Sequence, residues 1–276
     1  MYISYSDLSK INEVQVNILK EITAVCNQLN IKFFMVHGSL LGAVRNNKFV
    51  LGDDDIDIAM KRNDYDRFVS YAPNIINQRF FIQTSDSENE YSLEFAKVRD
   101  CETTYVTYAM QNLNVNHGIY IDIFPIDYKP ASNISHKIYN YALKLVSLRL
   151  SNYYLENERN LRKIIRYCTR ALIPTRKFAF WLRKKIIYSV KKSNIVGLTG
   201  GKPKEQNIPA VWFDNYNEML FEGVSVNVIK NYSDYLTMIY GDYSTATLLE
   251  NREFNEGQVQ INAVRFDTKN SYKVSE

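Results

Sequence analysis

The chain has 276 residues, with 34 Lys and Arg against 30 Asp and Glu, and is 46% hydrophobic, 23% charged and 13% aromatic. This balance is ordinary for a folded protein and excludes a disordered or low-complexity chain; three widely separated cysteines without a C-x-x-C pair exclude a zinc ribbon or a disulfide framework. The net charge of +4 hides an asymmetry, because 12 of the basic residues and no acid fall between Arg159 and Lys192, leaving the other 22 against all 30 acids.

The N-terminus has no charged stretch followed by an apolar one, and no apolar run approaches the roughly 18–20 residues needed to span a bilayer. The expectation is an intracellular, cytoplasmic protein. Ile11, Val14, Ile18, Ile22, Val25, Cys26 and Leu29 recur at three- and four-residue spacings, which predicts an amphipathic helix over residues 8–30. KFFMV then reads as a buried strand. In HGSLLGAVRNN, Ser39 is placed to cap a short helix over 40–45 that stops at Asn46-Asn47. The segment after it, DDDIDIAM, alternates over 55–60 as a strand would, and Asn63 opens a further helix. RFFIQT, SLEFAKVR, TTYVTYA and GIYIDIFPI are the next predicted strands. Helical stretches over 133–155 and 159–192, interrupted at Pro174, precede a C-terminal part with a helix in NYSDYLTMIYGDY. The mixture predicts an α+β fold with an α/β-type core. Its expected division is a catalytic core over 1–130, a basic helical region over 131–195 and a C-terminal part over 196–276 that packs on the core.

Asp53, Asp54, Asp55 and Asp57 repel one another, and a solvated acidic turn accounts for the first two. Asp55 and Asp57 alternate with large apolar residues, so they must face a cleft, since burying an unpaired charge costs several kcal/mol. An EF-hand loop fails, because Ile58 and Asp64 stand where glycine and a bidentate glutamate are required. Two carboxylates at i and i+2 on a strand lie about 6–7 Å apart and suit one hard cation or a bridged pair. Asp122, between Ile121 and Ile123 in another strand-like run, offers a third. Gly38 permits close backbone approach, Ser39 adds a hydroxyl, and Arg45 is a bidentate phosphate candidate. Lys97 and Arg99 alternate on one predicted strand, with Lys97 the stronger candidate for a phosphate. His37 and His117 are poor candidates as ligands of magnesium, which prefers oxygen.

The glycine-serine turn, the acidic strand and the third acid together resemble the nucleotidyltransferase-fold superfamily. HGSLLGAVRNNKFVLGDDDIDIAMKRNDYDRF resembles the signature of the LicD family, to which fukutin and fukutin-related protein are akin; YIDIFPID and FEGVSVNVIKNYSDYLTMIYGDY resemble two downstream elements of that family. The likeness runs over roughly residues 10–250. Leu51-Gly52 departs from it, standing where the family has Pro-Trp. The resemblance implies a nucleotidyltransferase-like mixed sheet flanked by helices, and transfer of a phospho-alcohol (phosphocholine or phosphoglycerol) from a CDP-linked donor. The acceptor would be a sugar hydroxyl of a cell-surface polysaccharide or lipid-linked glycan, such as capsule, lipopolysaccharide or teichoic acid, and CMP would leave. It also implies Asp55, Asp57 and Asp122 as ligands of two Mg2+ or Mn2+ ions, with Asp122 completing the site or serving as base. The alternative is a metal-dependent glycosyltransferase using the D-x-D. The basic segment 159–192, with Trp and Phe on its apolar side, fits an anionic membrane at the inner face of the plasma membrane. No nucleic-acid module accompanies it.

Overall fold

The computed structural model describes residues 1–150, 167–244 and 257–272. Strand β1 (Tyr2–Ser4) runs directly into helix α1 (Tyr5–Leu29). Ser4 starts the helix by accepting the Asp7 amide on its hydroxyl at 3.1 Å, and Asn30 ends it in a left-handed conformation, φ 50°. The predicted apolar stripe is the buried one: Ile11, Ile18, Leu19 and Ile22 are fully enclosed, each contributing roughly 1.5–3 kcal/mol by leaving water.

The next elements are β2 (Phe33–Met35), α2 (His37–Asn46), β3 (Asp57–Lys61), α3 (Arg62–Tyr71), β4 (Phe80–Gln83), β5 (Ala96–Asp100), β6 (Thr104–Thr107) and β7 (Tyr120–Tyr128). Downstream, β8 (Ile195–Leu198) and β9 (Ile208–Pro209) complete a seven-stranded sheet ordered β2-β3-β7-β5-β4, with β8 and β9 joined on through β7. Only β3 and β7 run parallel; the other neighbours are antiparallel. β7 is long enough to take two partners along one edge, β5 on residues 120–123 and β8 on residues 126–128. The fold is thus the expected α+β class, with α1 packed against β5 and β7.

The helical region contains α4 (Asn133–Leu150), helical residues 167–172 and α5 (Arg176–Tyr188); residues 151–166, including the start of the basic run, lie outside the described residues. α4 and α5 share small apolar clusters, with Val146, Leu150 and Phe180 in one and Tyr139, Leu143 and Ile187 in another. Beyond them come a hairpin of β10 (Tyr216–Phe221) and β11 (Val224–Ile229), helix α6 (Tyr232–Tyr240), β12 (Gln258–Gln260) and β13 (Ala263–Asp267). β12 pairs with β1 and β13 with β6, so the C-terminal part is stitched to both the N-terminus and the core.

Three local expectations shift. Asp53 and Asp54, expected in a solvated acidic turn, are buried. The acidic strand begins at Asp57, not at Asp55, because the Asp57 amide is taken by the Ser39 hydroxyl at 2.9 Å and residues 53–56 remain a loop. Helix α2 begins at His37 with Val36 as its cap residue. Ser39 sits inside the first turn, where its oxygen serves β3 instead of capping the helix.

Candidate active site

The cleft is built where the first turn of α2, the aspartate loop and the N-terminal ends of β3 and β7 converge. Val36 ties the start of α2 to β3 through its amide, 3.1 Å from the Asp57 carbonyl. His37 follows at φ 52°, a conformation non-glycine residues adopt at a cost. A Cβ on Gly42 would lie 2.2 Å from the Lys48 carbonyl oxygen, so glycine there lets the segment leaving α2 fold back across the helix. Gly52, at φ 80°, and a turn closed by Asp53 N–H to the Val50 carbonyl at 3.0 Å then deliver the aspartates to the cleft.

Three strands set the geometry. Asp57 on β3 is in register with Asp122 on β7, and Asp122 with Lys97 on β5, so the three side chains form one row on one face of the sheet. Asp53, Asp55, Asp57 and Asp122 all line a cleft of about 380 Å³. The carboxylate oxygens of Asp53, Asp54 and Asp55 come within 4.8 Å of one another. Asp54 is also structural: it accepts the Tyr105 hydroxyl at 2.5 Å and the Asn262 amide at 3.0 Å. An all-carboxylate donor set suits a hard divalent cation. His37 adds no ligand, since Asp57 lies 3.0 Å from its Nδ1 and Glu205 2.7 Å from its Nε2.

The electrostatics follow from burial and crowding. Burial, then repulsion by Asp57, Asp53, Asp54 and Asp122, holds the Asp55 carboxyl well above the usual range. Burial also raises Asp122, to about 6, with Lys97 opposing and Asp57 reinforcing the shift. Lys97 pairs directly with Asp122 and lies 3.5 Å from the centre of the Tyr120 ring; its burial lowers its pKa against that attraction. His37 moves the other way. Burial alone would lower it, but Asp57 and Glu205 raise it to about 10, so it is an imidazolium. Glu205 is fully buried and also accepts the Tyr235 hydroxyl at 2.5 Å.

Of the residues singled out in the sequence, Gly38, Asp55, Asp57 and Asp122 line the cleft. Ser39 stands behind it, and Lys97 reaches its edge through Asp122. Arg45 lies at the last turn of α2, and its guanidinium donates to the Tyr243 carbonyl. Arg99 is enclosed, held by the Gln83 side chain and the Gly118 carbonyl at 2.6 Å each. The rest of the lining consists of Gly200, Gly201 and Lys202, with Phe95, Phe124 and Tyr240. None of these six was singled out as a binding residue in the sequence. The one available signal was the Thr-Gly-Gly-Lys stretch following a strand, which reads as an ordinary loop until its position is known.

Comparison with known proteins agrees with this geometry. The family described as LicD/FKTN/FKRP, nucleotidyltransferase domain, matches residues 30–147. The lipopolysaccharide cholinephosphotransferase LicD of Haemophilus influenzae is 30% identical over 241 residues, covering 83% of this chain and 88% of that protein. Together these similarities make the chain a phosphotransferase. It belongs to the LicD family.

Proposed function

We propose that this enzyme transfers phosphocholine, or a closely similar phospho-alcohol, from a CDP-linked donor to a sugar hydroxyl of a surface polysaccharide or lipid-linked glycan, releasing CMP. The observation that carries the reading is the cleft lined by Asp53, Asp55, Asp57 and Asp122, in a chain similar over most of its length to a lipopolysaccharide cholinephosphotransferase. Asp55, Asp57 and Asp122 would hold one or two Mg2+ or Mn2+ ions, which in such a site neutralise a donor's phosphates and acidify the attacking hydroxyl. In the transfer, the acceptor oxygen forms a bond to the phosphorus bearing the alcohol, the bond from that phosphorus to the CMP oxygen breaks, and the acceptor loses its proton. Asp122, in register with Asp57 on the neighbouring strand, would complete that metal site or, where Asp55 and Asp57 suffice for the metal, accept the proton. Ser39 and His37 fix the Asp57 backbone and carboxylate, and Lys97 holds Asp122 in the row.

The acceptor class also suggests a location at the inner face of the plasma membrane. Among the described residues no helix is long and apolar enough to cross a membrane. The α4–α5 region nonetheless exposes Ile134, Ile138, Tyr141, Phe178 and Trp181 beside basic residues such as Lys177 and Lys185, a combination suited to lying on anionic lipid.

The test is donor discrimination by purified protein with magnesium and a panel of CDP-alcohols and nucleotide sugars. CMP release that requires both the metal and Asp55, checked with Asp55→Asn, supports the reading and names the alcohol. Release of UDP or GDP from a nucleotide sugar would instead identify a glycosyltransferase.

A further inference from the structure

We infer that the loop over residues 199–202 is the wall that receives the donor's diphosphate, with Lys202 as its cation; this deepens the donor reading above and rests on it. The cleft is chemically lopsided. Four carboxylates line it, and among the described residues Lys202 is the one lysine or arginine that does; His37 lines it too but is held between Asp57 and Glu205. The other candidate cations are committed elsewhere, Lys97 to Asp122 and Arg45 to the Tyr243 carbonyl. A cation held by the acids can neutralise a diphosphate from one side only; the oxygens facing away from it need donors from the rest of the lining. The Lys202 side chain is exposed and makes no ion pair with any carboxylate among the described residues, so its ammonium is available to a ligand.

The two glycines let the loop pack closely on its neighbours, and the amides of Thr199, Gly201 and Lys202 are all taken by the protein, so the Lys202 side chain is what the loop offers a ligand. Gly200 has φ +88°, and a Cβ there would lie 2.5 Å from the Phe95 ring; one on Gly201 would lie 2.8 Å from Leu198 and 2.9 Å from Glu205. Its frame is fixed at both ends. Thr199 donates to Asp127 through its hydroxyl and to the Pro125 carbonyl through its amide at 3.0 Å. Gln206 donates to the Leu198 carbonyl at 2.7 Å. The Lys202 amide donates to Glu205 at 2.8 Å, and the same Glu205 carboxylate binds His37, whose other nitrogen meets Asp57. Two side chains, Glu205 and His37, therefore couple the loop to the acidic row.

Calorimetric titration of CDP into the protein with saturating Mg2+ tests the assignment, using wild type, Lys202→Ala, Lys202→Arg and, as a matched loss of charge away from the cleft, Lys230→Ala. Lys202→Ala should weaken CDP binding roughly 10- to 100-fold, the worth of one charge-assisted hydrogen bond. Lys202→Arg should restore most of it, Lys230→Ala should bind as wild type does, and binding of cytidine, which has no phosphate, should be the same in all four. Undiminished CDP binding by Lys202→Ala, an equal loss in Lys230→Ala, or no CDP binding by wild type overturns the assignment. The two readings fail separately. If CDP binding depends on Lys202 but no CDP-alcohol yields CMP, the transfer reading falls and the diphosphate wall stands. If a CDP-alcohol is turned over and Lys202→Ala leaves its KM unchanged, the wall falls alone.

Discussion

Replacing Asp55 by Asn should make the metal-free protein more stable while abolishing its activity. The carboxylates of Asp53, Asp54 and Asp55 lie within 4.8 Å of one another, so each charged pair costs about 3.5 kcal/mol at an effective dielectric constant near 20. Asp55 is half-buried, and screening by solvent reduces the repulsion it contributes to a net of roughly 2 kcal/mol. For a large domain that corresponds to a rise in Tm of roughly 4–8 °C. The sign depends on pH in a defined way. The folded-state pKa of Asp55 is raised, so its protonated form favours the fold. Its stabilising contribution is complete below the unfolded value near 3.8 and is lost as pH rises through the folded value. The variant, neutral throughout, avoids that loss, so its advantage should be small near pH 4 and widen towards pH 8. Scanning calorimetry in chelator across this range reads it directly. Magnesium should then stabilise wild type, by about 2.7 kcal/mol at a hundredfold excess over Kd, and leave the variant nearly unchanged. A variant less stable than wild type at pH 8 in chelator, or a gap that does not widen with pH, would refute the reasoning.

Asp122→Asn should lower kcat roughly 10²–10⁴-fold, the usual worth of a positioned proton acceptor, measured as CMP release under saturating donor. Glu205→Gln removes the charge that Tyr235, His37 and the Lys202 amide all bind; chemical denaturation should show a loss of about 3–5 kcal/mol, as for breaking a buried ion pair from one side. Gly200→Ala places a methyl 2.5 Å from Phe95 on a backbone at φ +88° and should cost about 1–3 kcal/mol in the same assay. Reversing Lys177 and Lys185 to Glu should reduce co-sedimentation with anionic vesicles at least tenfold, at about 1 kcal/mol for each basic residue near the surface, while wild type should not sediment with neutral vesicles.

Helix α1 was legible because its apolar residues recur at helical spacing and one face is buried, so periodicity alone carries the information. β7 was legible from its apolar run, whose Ile121, Asp122 and Ile123 read as a buried strand bearing an acid; it also buries a second acid, Asp127. The crowding of Asp53, Asp54, Asp55 and Asp57 also spoke for itself, because like charges in adjacent positions are costly wherever the chain places them. Sequence could not say that Asp57 and Asp122 would be register neighbours, since pairing between strands more than 60 positions apart is decided by the sheet as a whole. Ser39 shows the same limit at short range. Its hydroxyl suits a helix cap locally, but β3 presents the Asp57 amide to it and that contact prevails. Glu205 and the 199–202 loop were unreadable for a related reason: an acid in a polar loop has no local signature, and its role arises only when folding brings His37 and Tyr235 to it from α2 and α6. The sequence by itself determined α1, the strands around the acids and the acids that must share a cleft, but not β1 or the strands β8 to β13. Only the tertiary structure decided what shares the cleft with those acids, because Gly200, Gly201 and Lys202 come from chain about 80 positions beyond Asp122, and contacts at that distance carry no pattern until the sheet closes.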